Sequence, residues 1–166
     1  MKQFVYSLEV SEIVPNEKIA LSSTSKLMII DNFSSFIRNA KMLRSHFGSG
    51  KELLKLMLKI SLKRSSMYCC GTKTTLQSHG VITYGRCTHY PVASSDAVIG
   101  PVFTNKNMRG QGMATRALIF ATQHIHAKHQ SKRIIIDTSE DNYGMQIAIK
   151  RAGFNGPIIE FQRNER

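Results

Sequence analysis

The chain has 166 residues, 42% hydrophobic and 20% charged, with 11 Gly and 4 Pro. That is enough apolar material for one packed domain, and it is not the make-up of a disordered, collagen-like or disulfide-stapled chain. The net charge of +12 is spread, +6 over residues 1–70 and +6 over 71–166, whereas nucleic-acid arms and polybasic membrane anchors concentrate it; no Arg-rich run, zinc-finger spacing or RNP-like motif is present.

Residues 3–10 alternate apolar and polar positions with β-branched members, which predicts a first strand. Glu9 and Glu12 arrive too early for the apolar core of a secretory signal, so a cytoplasmic protein is expected. Leu27–Ile30 is a short apolar run stopped by Asp31. Phe33, Phe36, Ile37, Ala40, Leu43 and Phe47 then recur at helical spacing, predicting a helix from about Asn32 to His46 with Asp31 or Asn32 as N-cap. Gly48 and Gly50 break the chain, and Ser49 can cap a second helix that carries Leu53, Leu54, Met57 and Ile60 toward a core. Lys51, Lys55, Lys59 and Lys63 recur on it at four-residue steps, the pattern of a solvated face. Lys55 and Lys59 also keep the Leu53–Leu62 stretch well short of a membrane span.

Met67–Gly71, Gly80–Tyr90 and Ala97–Thr104 read as three strands of an antiparallel meander. The three cysteines, an odd count with Cys69 and Cys70 adjacent, suit reduced, buried strand thiols, and no metal-ligating spacing accompanies them. Pro101 cannot donate to a ladder, so an edge or a bulge is expected there, and bulges often adjoin active sites. From Leu53 to Ser95 there is no Asp or Glu.

The segment that carries chemistry begins at Gly100. A strand turns through Gly110 and Gly112 into a helix whose apolar stripe is Ala114, Ala117, Leu118, Ala121 and Ile125. Such a turn presents unpaired N–H groups and the positive end of the helix dipole, and glycine lets a phosphate approach the backbone. The Walker pattern fails for want of a following Gly-Lys-Ser/Thr, and the dinucleotide fingerprint fails because Thr115 stands at its third glycine. What fits is Arg-x-x-Gly-x-Ala at Arg109, Gly112 and Ala114. It is followed by a strand candidate, Arg133–Thr138, then Asn142, a helix, Gly153-Phe154 and a last strand, Ile158–Gln162.

This succession resembles the second half of the GNAT superfamily of acetyl-CoA-dependent N-acetyltransferases, well over Met67–Gln162 and more loosely before it. The resemblance implies an α/β (α+β) fold, a mixed, mostly antiparallel central sheet flanked by helices, forming one acetyltransferase domain over residues 1–166. It implies acetyl-CoA as cofactor. The backbone of Val102, Phe103 and Thr104 would bond the pantetheine arm, and Met108, Arg109, Gly110, Gln111, Gly112, Met113, Ala114 and Thr115 would cradle the pyrophosphate. Asn142 would lie near the thioester. Many members carry a Tyr four residues before the Gly of Gly-Phe, to protonate the departing thiolate. Ile149 occupies that position here, and Tyr143 stands at a different helical angle.

The implied activity is acetyl transfer to the primary amine of a small molecule by a monomer or homodimer, with neither nucleic acid nor membrane as partner. The alternative is an acyl-CoA-binding sensor of the same fold with impaired catalysis, which Ile149 favours; a basic nucleic-acid module rests on charge alone. An amine that arrives protonated calls for a base. The candidates at strand ends are His89 and Glu140, with Asp96 beside them. His124, His126 and His129 read as a polar helix end. With Lys63, Arg64, Lys73 and Arg86 near the expected acceptor cleft and no carboxylate from Leu53 to Ser95, an anionic amine is favoured over a polycation.

Overall fold

The computed structural model describes residues 1–13, 25–48, 50–62, 65–72 and 74–163. Seven strands form one sheet: β1 (Lys2–Glu9), β2 (Lys26–Ile30), β3 (Ser65–Gly71), β4 (Leu76–Tyr84), β5 (Asp96–Thr104), β6 (Arg133–Ser139) and β7 (Asn155–Gln162). Their order is β2-β3-β4-β5-β6-β1-β7. Every pairing is antiparallel except β5 with β6. The predicted meander is β3-β4-β5.

Among the described residues, five α-helices flank the sheet: α1 (Phe33–Arg38), α2 (Ala40–Phe47), α3 (Lys51–Ser61), α4 (Met113–Lys128) and α5 (Tyr143–Arg151). Strand residues alternate faces. Tyr6, Tyr68, Ile82, Ile99 and Ile136 pack with Ala117, Leu118, Ala121 and Ile125 of α4 and with Ile149 of α5. On the opposite face Met67, Cys69 and Leu76 meet Phe36, Met42, Leu43, Leu53 and Ile60 of α1–α3. Each fully buried Ile, Leu or Met contributes roughly 1.5–3 kcal/mol, so these two clusters hold the sheet in place. Small alanines on α4 bring that helix close to the strands.

The helix expected over Asn32–His46 is interrupted. Asn32 caps α1, its side chain accepting the Ser35 N–H at 2.8 Å in a capping box. Asn39 ends it: its amide donates to the Ser35 carbonyl at 2.8 Å, competing for the backbone and dividing α1 from α2. Leu54, expected in the core, is 54% exposed, whereas Leu53 and Ile60 are buried, because the helix turns a narrower face inward than the apolar pattern suggests. The strand expected over Gly80–Tyr90 ends at Tyr84, where Gly85 takes φ 61° and its N–H donates to the Asp96 carbonyl at 2.8 Å. Ser49, Lys63, Arg64 and Lys73 lie outside the described residues.

Candidate active site

The parallel pairing of β5 with β6 runs only from Asp96–Arg133 to Ile99–Ile136. Beyond it the register of β5 against β4 slips: Ile82 faces Ile99, but Gly80 faces Val102. Val81 thus opposes both Gly100 and Pro101, a bulge at the position the proline predicts. The bulge turns β5 away from β6. Val102, Phe103 and Thr104 keep their pairing with β4, but β6 pairs with none of them, and a gap opens between the two strands. Under the bulge, Tyr68 is fully buried, and its hydroxyl has no hydrogen-bond partner among the described residues. A Cβ at Gly80 would overlap that hydroxyl.

At the far end of β5, Asn105 opens a braced turn. Its N–H donates to the Gln77 carbonyl at 2.8 Å, and Arg109 Nε donates back to the Thr104 carbonyl at 3.3 Å. Gly110 and Gly112 both sit in the left-handed region, φ 75° and 73°, with nothing within 4 Å of where a Cβ would stand. α4 starts at once. It has no side-chain cap, and its first return bond is Arg116 N–H to the Gly112 carbonyl at 3.1 Å. The first amides of α4 thus lie at an uncapped helix N-terminus with open space at both glycines, the environment a pyrophosphate requires.

On the face of the sheet opposite α4, a cleft of about 1040 Å³ lies between the end of α3, the 85–92 loop, the splayed part of β5 and the end of β6. Asp137 of β6 lines it, and Tyr90 donates a 3.0 Å hydrogen bond to Asp137 Oδ1. Burial, and then the neighbouring Asp137 charge, push the Tyr90 hydroxyl well above its ordinary range, so it stays a donor. Gln3 of β1 also lines the cleft; it is 3% exposed, and its Nε2 has no hydrogen-bond partner among the described residues. Lys59, Arg86 and Arg163 complete the charged lining.

His89 lies on the exposed loop and lines this cleft. Glu140 sits on the exposed turn after β6, its carbonyl accepting from Gln146 Nε2 at 2.7 Å; its side chain is not part of the lining. Asp96, 3% exposed, accepts from Arg133 at 2.8 Å and from the Ala93 N–H at 2.8 Å, at the paired end of β5. Asn142 does two things: it caps α5, accepting the Met145 N–H at 3.3 Å, and it lines the cleft. Ile149 is fully buried on the inward face of α5, and Tyr143 is 72% exposed. At the end of α4 His126 is exposed, while His129, the residue after the helix, stacks on Tyr84 at 3.9 Å and His124 lies edge-on to His129 at 5.8 Å.

The sequence reading passed over Asp137, Tyr90 and Gln3. A signal for the first existed: Asp137 is the one carboxylate of β6, directly after the apolar run of Ile134, Ile135 and Ile136. It also passed over a pair of imidazoles beside β5. His46 Nε2 and His79 Nε2 are 3.1 Å apart, and both rings pack on Phe103.

Comparison with known proteins agrees with this fold. The profile of the acetyltransferase (GNAT) domain matches residues 40–155. A GNAT-family acetyltransferase from Colwellia psychrerythraea superposes with a TM-score of 0.63 at 20% identity, over 93% of this chain and 52% of that one; the chain thus spans about half that protein's length. An aminoglycoside 6'-N-acetyltransferase from Acinetobacter baumannii gives 0.55 at 14% identity over 86% and 99%. A ribosomal-protein-S5-alanine acetyltransferase from Vibrio fischeri gives 0.56 at 14% identity over 82% of each chain. At these identities the structures speak for the fold. No curated protein sequence matches significantly. With the family profile covering more than half of its length, the chain belongs to the GNAT acetyltransferase family, whose members are acetyl-CoA-dependent N-acetyltransferases.

Proposed function

We propose that residues 1–166 form one cytoplasmic domain that moves an acetyl group from acetyl-CoA to the amine of a small molecule. The observation that most supports this is the gap between β5 and β6, which has an uncapped, glycine-lined helix N-terminus at one end and a carboxylate-bearing cleft on one face. The free space at Gly110 and Gly112 fits a phosphate group.

Acetyl-CoA, when bound, supplies the acetyl group as an activated thioester. The N–H groups from Gly110 to Thr115, with Met108, Arg109 and Gln111 in the same turn, would hold its pyrophosphate. The backbone edge of Val102, Phe103 and Thr104 that β6 leaves without a strand partner would bond its amide-bearing arm, as a strand bonds a neighbour. Asn142 would stand at the reacting end. A primary amine is protonated near pH 7 and must lose a proton before its nitrogen can attack. Asp137 would hold that ammonium and take the proton on Oδ2, while Tyr90 fixes Oδ1. His89, exposed at the cleft rim, is the second candidate acceptor of the proton. No residue of the chain need become a nucleophile.

The buried Ile149, at the position where many members place a tyrosine, favours a second reading: an acyl-CoA-binding sensor without turnover. Free thiol release from acetyl-CoA in the presence of a panel of amines separates the two. Asp137→Asn should lower kcat about 10²- to 10⁴-fold if Asp137 takes the proton while preserving the rise in Tm that acetyl-CoA produces. A thermal rise with no thiol release from any amine would select the sensor.

A further inference from the structure

We infer that the acceptor held in the Asp137 cleft is a small amine that also carries an oxyanion, a carboxylate or a phosphate; this rests on the acetyl-transfer reading above. Asp137 is the cleft's carboxylate, and one of its oxygens is already engaged by Tyr90. Around it stand Lys59 from α3, Arg86 from the 85–92 loop and Arg163 beyond β7, all exposed and none in a salt bridge among the described residues. One carboxylate and three cations match one ammonium and one anion on the same ligand. They repel a ligand that carries several ammonium groups.

Gln3 is the independent second feature. Its side chain is 3% exposed, lines the cleft, and leaves Nε2 without an acceptor among the described residues. Leaving a buried amide donor unpaired is costly, and an oxygen of the ligand would relieve that cost. Gln3 lies opposite Ser139 on β6 and Val5 opposite Asp137, so the donor stands one alternate position from the carboxylate, on the same face of the sheet.

Arg86 is not placed to serve the coenzyme's pyrophosphate. Arg86 follows Gly85, whose N–H bonds the Asp96 carbonyl, whereas the glycine turn begins beyond Thr104, at the opposite end of β5. At ~3.3 Å per strand residue the two ends are about 26 Å apart. Arg109, on that turn, already supplies a cation there.

The test measures kcat/KM by free thiol release for matched acceptors: glycine against glycinamide, phosphoethanolamine against ethanolamine, and spermidine as the polycation. Each runs at about 50 mM and about 300 mM NaCl, across which surface electrostatics weaken markedly. In parallel, the change in Tm with acetyl-CoA is recorded. The expected result is a preference of roughly tenfold or more for the anionic member of at least one pair, reduced by salt and reduced at least about fivefold in Arg86→Gln. Which pair shows it tells carboxylate from phosphate. A preference for the neutral member or for spermidine, or equal rates, overturns the inference while leaving acetyl transfer intact. If acetyl-CoA raises Tm but no amine is acetylated, the acceptor inference falls and cofactor binding stands. If acetyl-CoA neither raises Tm nor turns over, the underlying reading fails and carries this one with it.

Discussion

His79 and His46 meet Nε2 to Nε2, so one ring donates and the other accepts, and both cannot be protonated without losing the bond and placing two like charges 3.1 Å apart. Burial, and then His46, lower the His79 pKa from 6.5 to about 4; burial lowers that of His46 as well. The folded state therefore holds His79 neutral while the unfolded chain binds a proton below pH 6.5. Stability contributed by the neutral ring is fully present above that value, is lost as pH falls, and is gone below about pH 4. The loss is ~3 kcal/mol for His79 alone. Urea unfolding should show stability falling from pH 7.5 to pH 4.5, and His79→Gln should flatten that slope; an unchanged slope would remove the pair from the account. Ile149 is a second residue whose surroundings decide its role. It is fully buried among Tyr6, Leu118 and Phe154, so Ile149→Tyr should destabilise the fold by about 1–3 kcal/mol through overpacking and lower the rate with it. A stable Ile149→Tyr protein with faster turnover would instead show that only the acid was missing. At this scale the sequence is informative where a residue's role is local: Asn142 before an apolar periodic run, or glycines before a helix. Asp137 was missed because its exposure to a cleft depends on the register of β6 against β1 and on the 85–92 loop, both of them non-local.

Among the elements, the turn into α4 was the most legible, because glycine, arginine and the helical stripe that follows all lie within a few residues of one another. Gly112 has φ 73° and no side-chain cap beside it. Gly112→Asp puts a carboxylate at the phosphate position and a side chain in the left-handed region. The rise in Tm with acetyl-CoA, which reflects preferential binding to the folded state, should vanish in the folded variant; a full rise would refute the assignment of this turn to the cofactor. The bulge was legible through Pro101, but its partner was not. Gly80 is a glycine because Tyr68 lies over it, a cross-strand fact without a local signature. Gly80→Ala should lower Tm even though Gly80 lies in a strand, where alanine would otherwise be preferred; an unchanged Tm would mean that the Tyr68 ring moves aside freely. The helix predicted as one and found as two shows the limit of periodicity. Apolar spacing continues smoothly through Asn39, and the competing side-chain bond to Ser35 is what ends α1.

Across the whole molecule, hydrophobic periodicity found most strands and helices but gave no strand order. That β1 lies between β6 and β7 emerges only in the structure. The even spread of charge likewise concealed a division of labour, with Arg109 by the glycine turn and Lys59, Arg86 and Arg163 by the cleft. No helix among the described residues is long and apolar enough to cross a membrane, and Cys69, Cys70 and Cys87 are free thiols, Cys69 and Cys70 buried in β3 as expected of strand residues. Acetyl transfer is proposed to take place at the β5/β6 gap. The most direct test is to incubate the protein with acetyl-CoA and the matched amines and to quantify free thiol and acetylated amine together. The account predicts equal amounts of the two, dependent on the amine and lost in Gly112→Asp. Thiol release without acetylated amine, or the same yield from the folded Gly112→Asp protein, would contradict it.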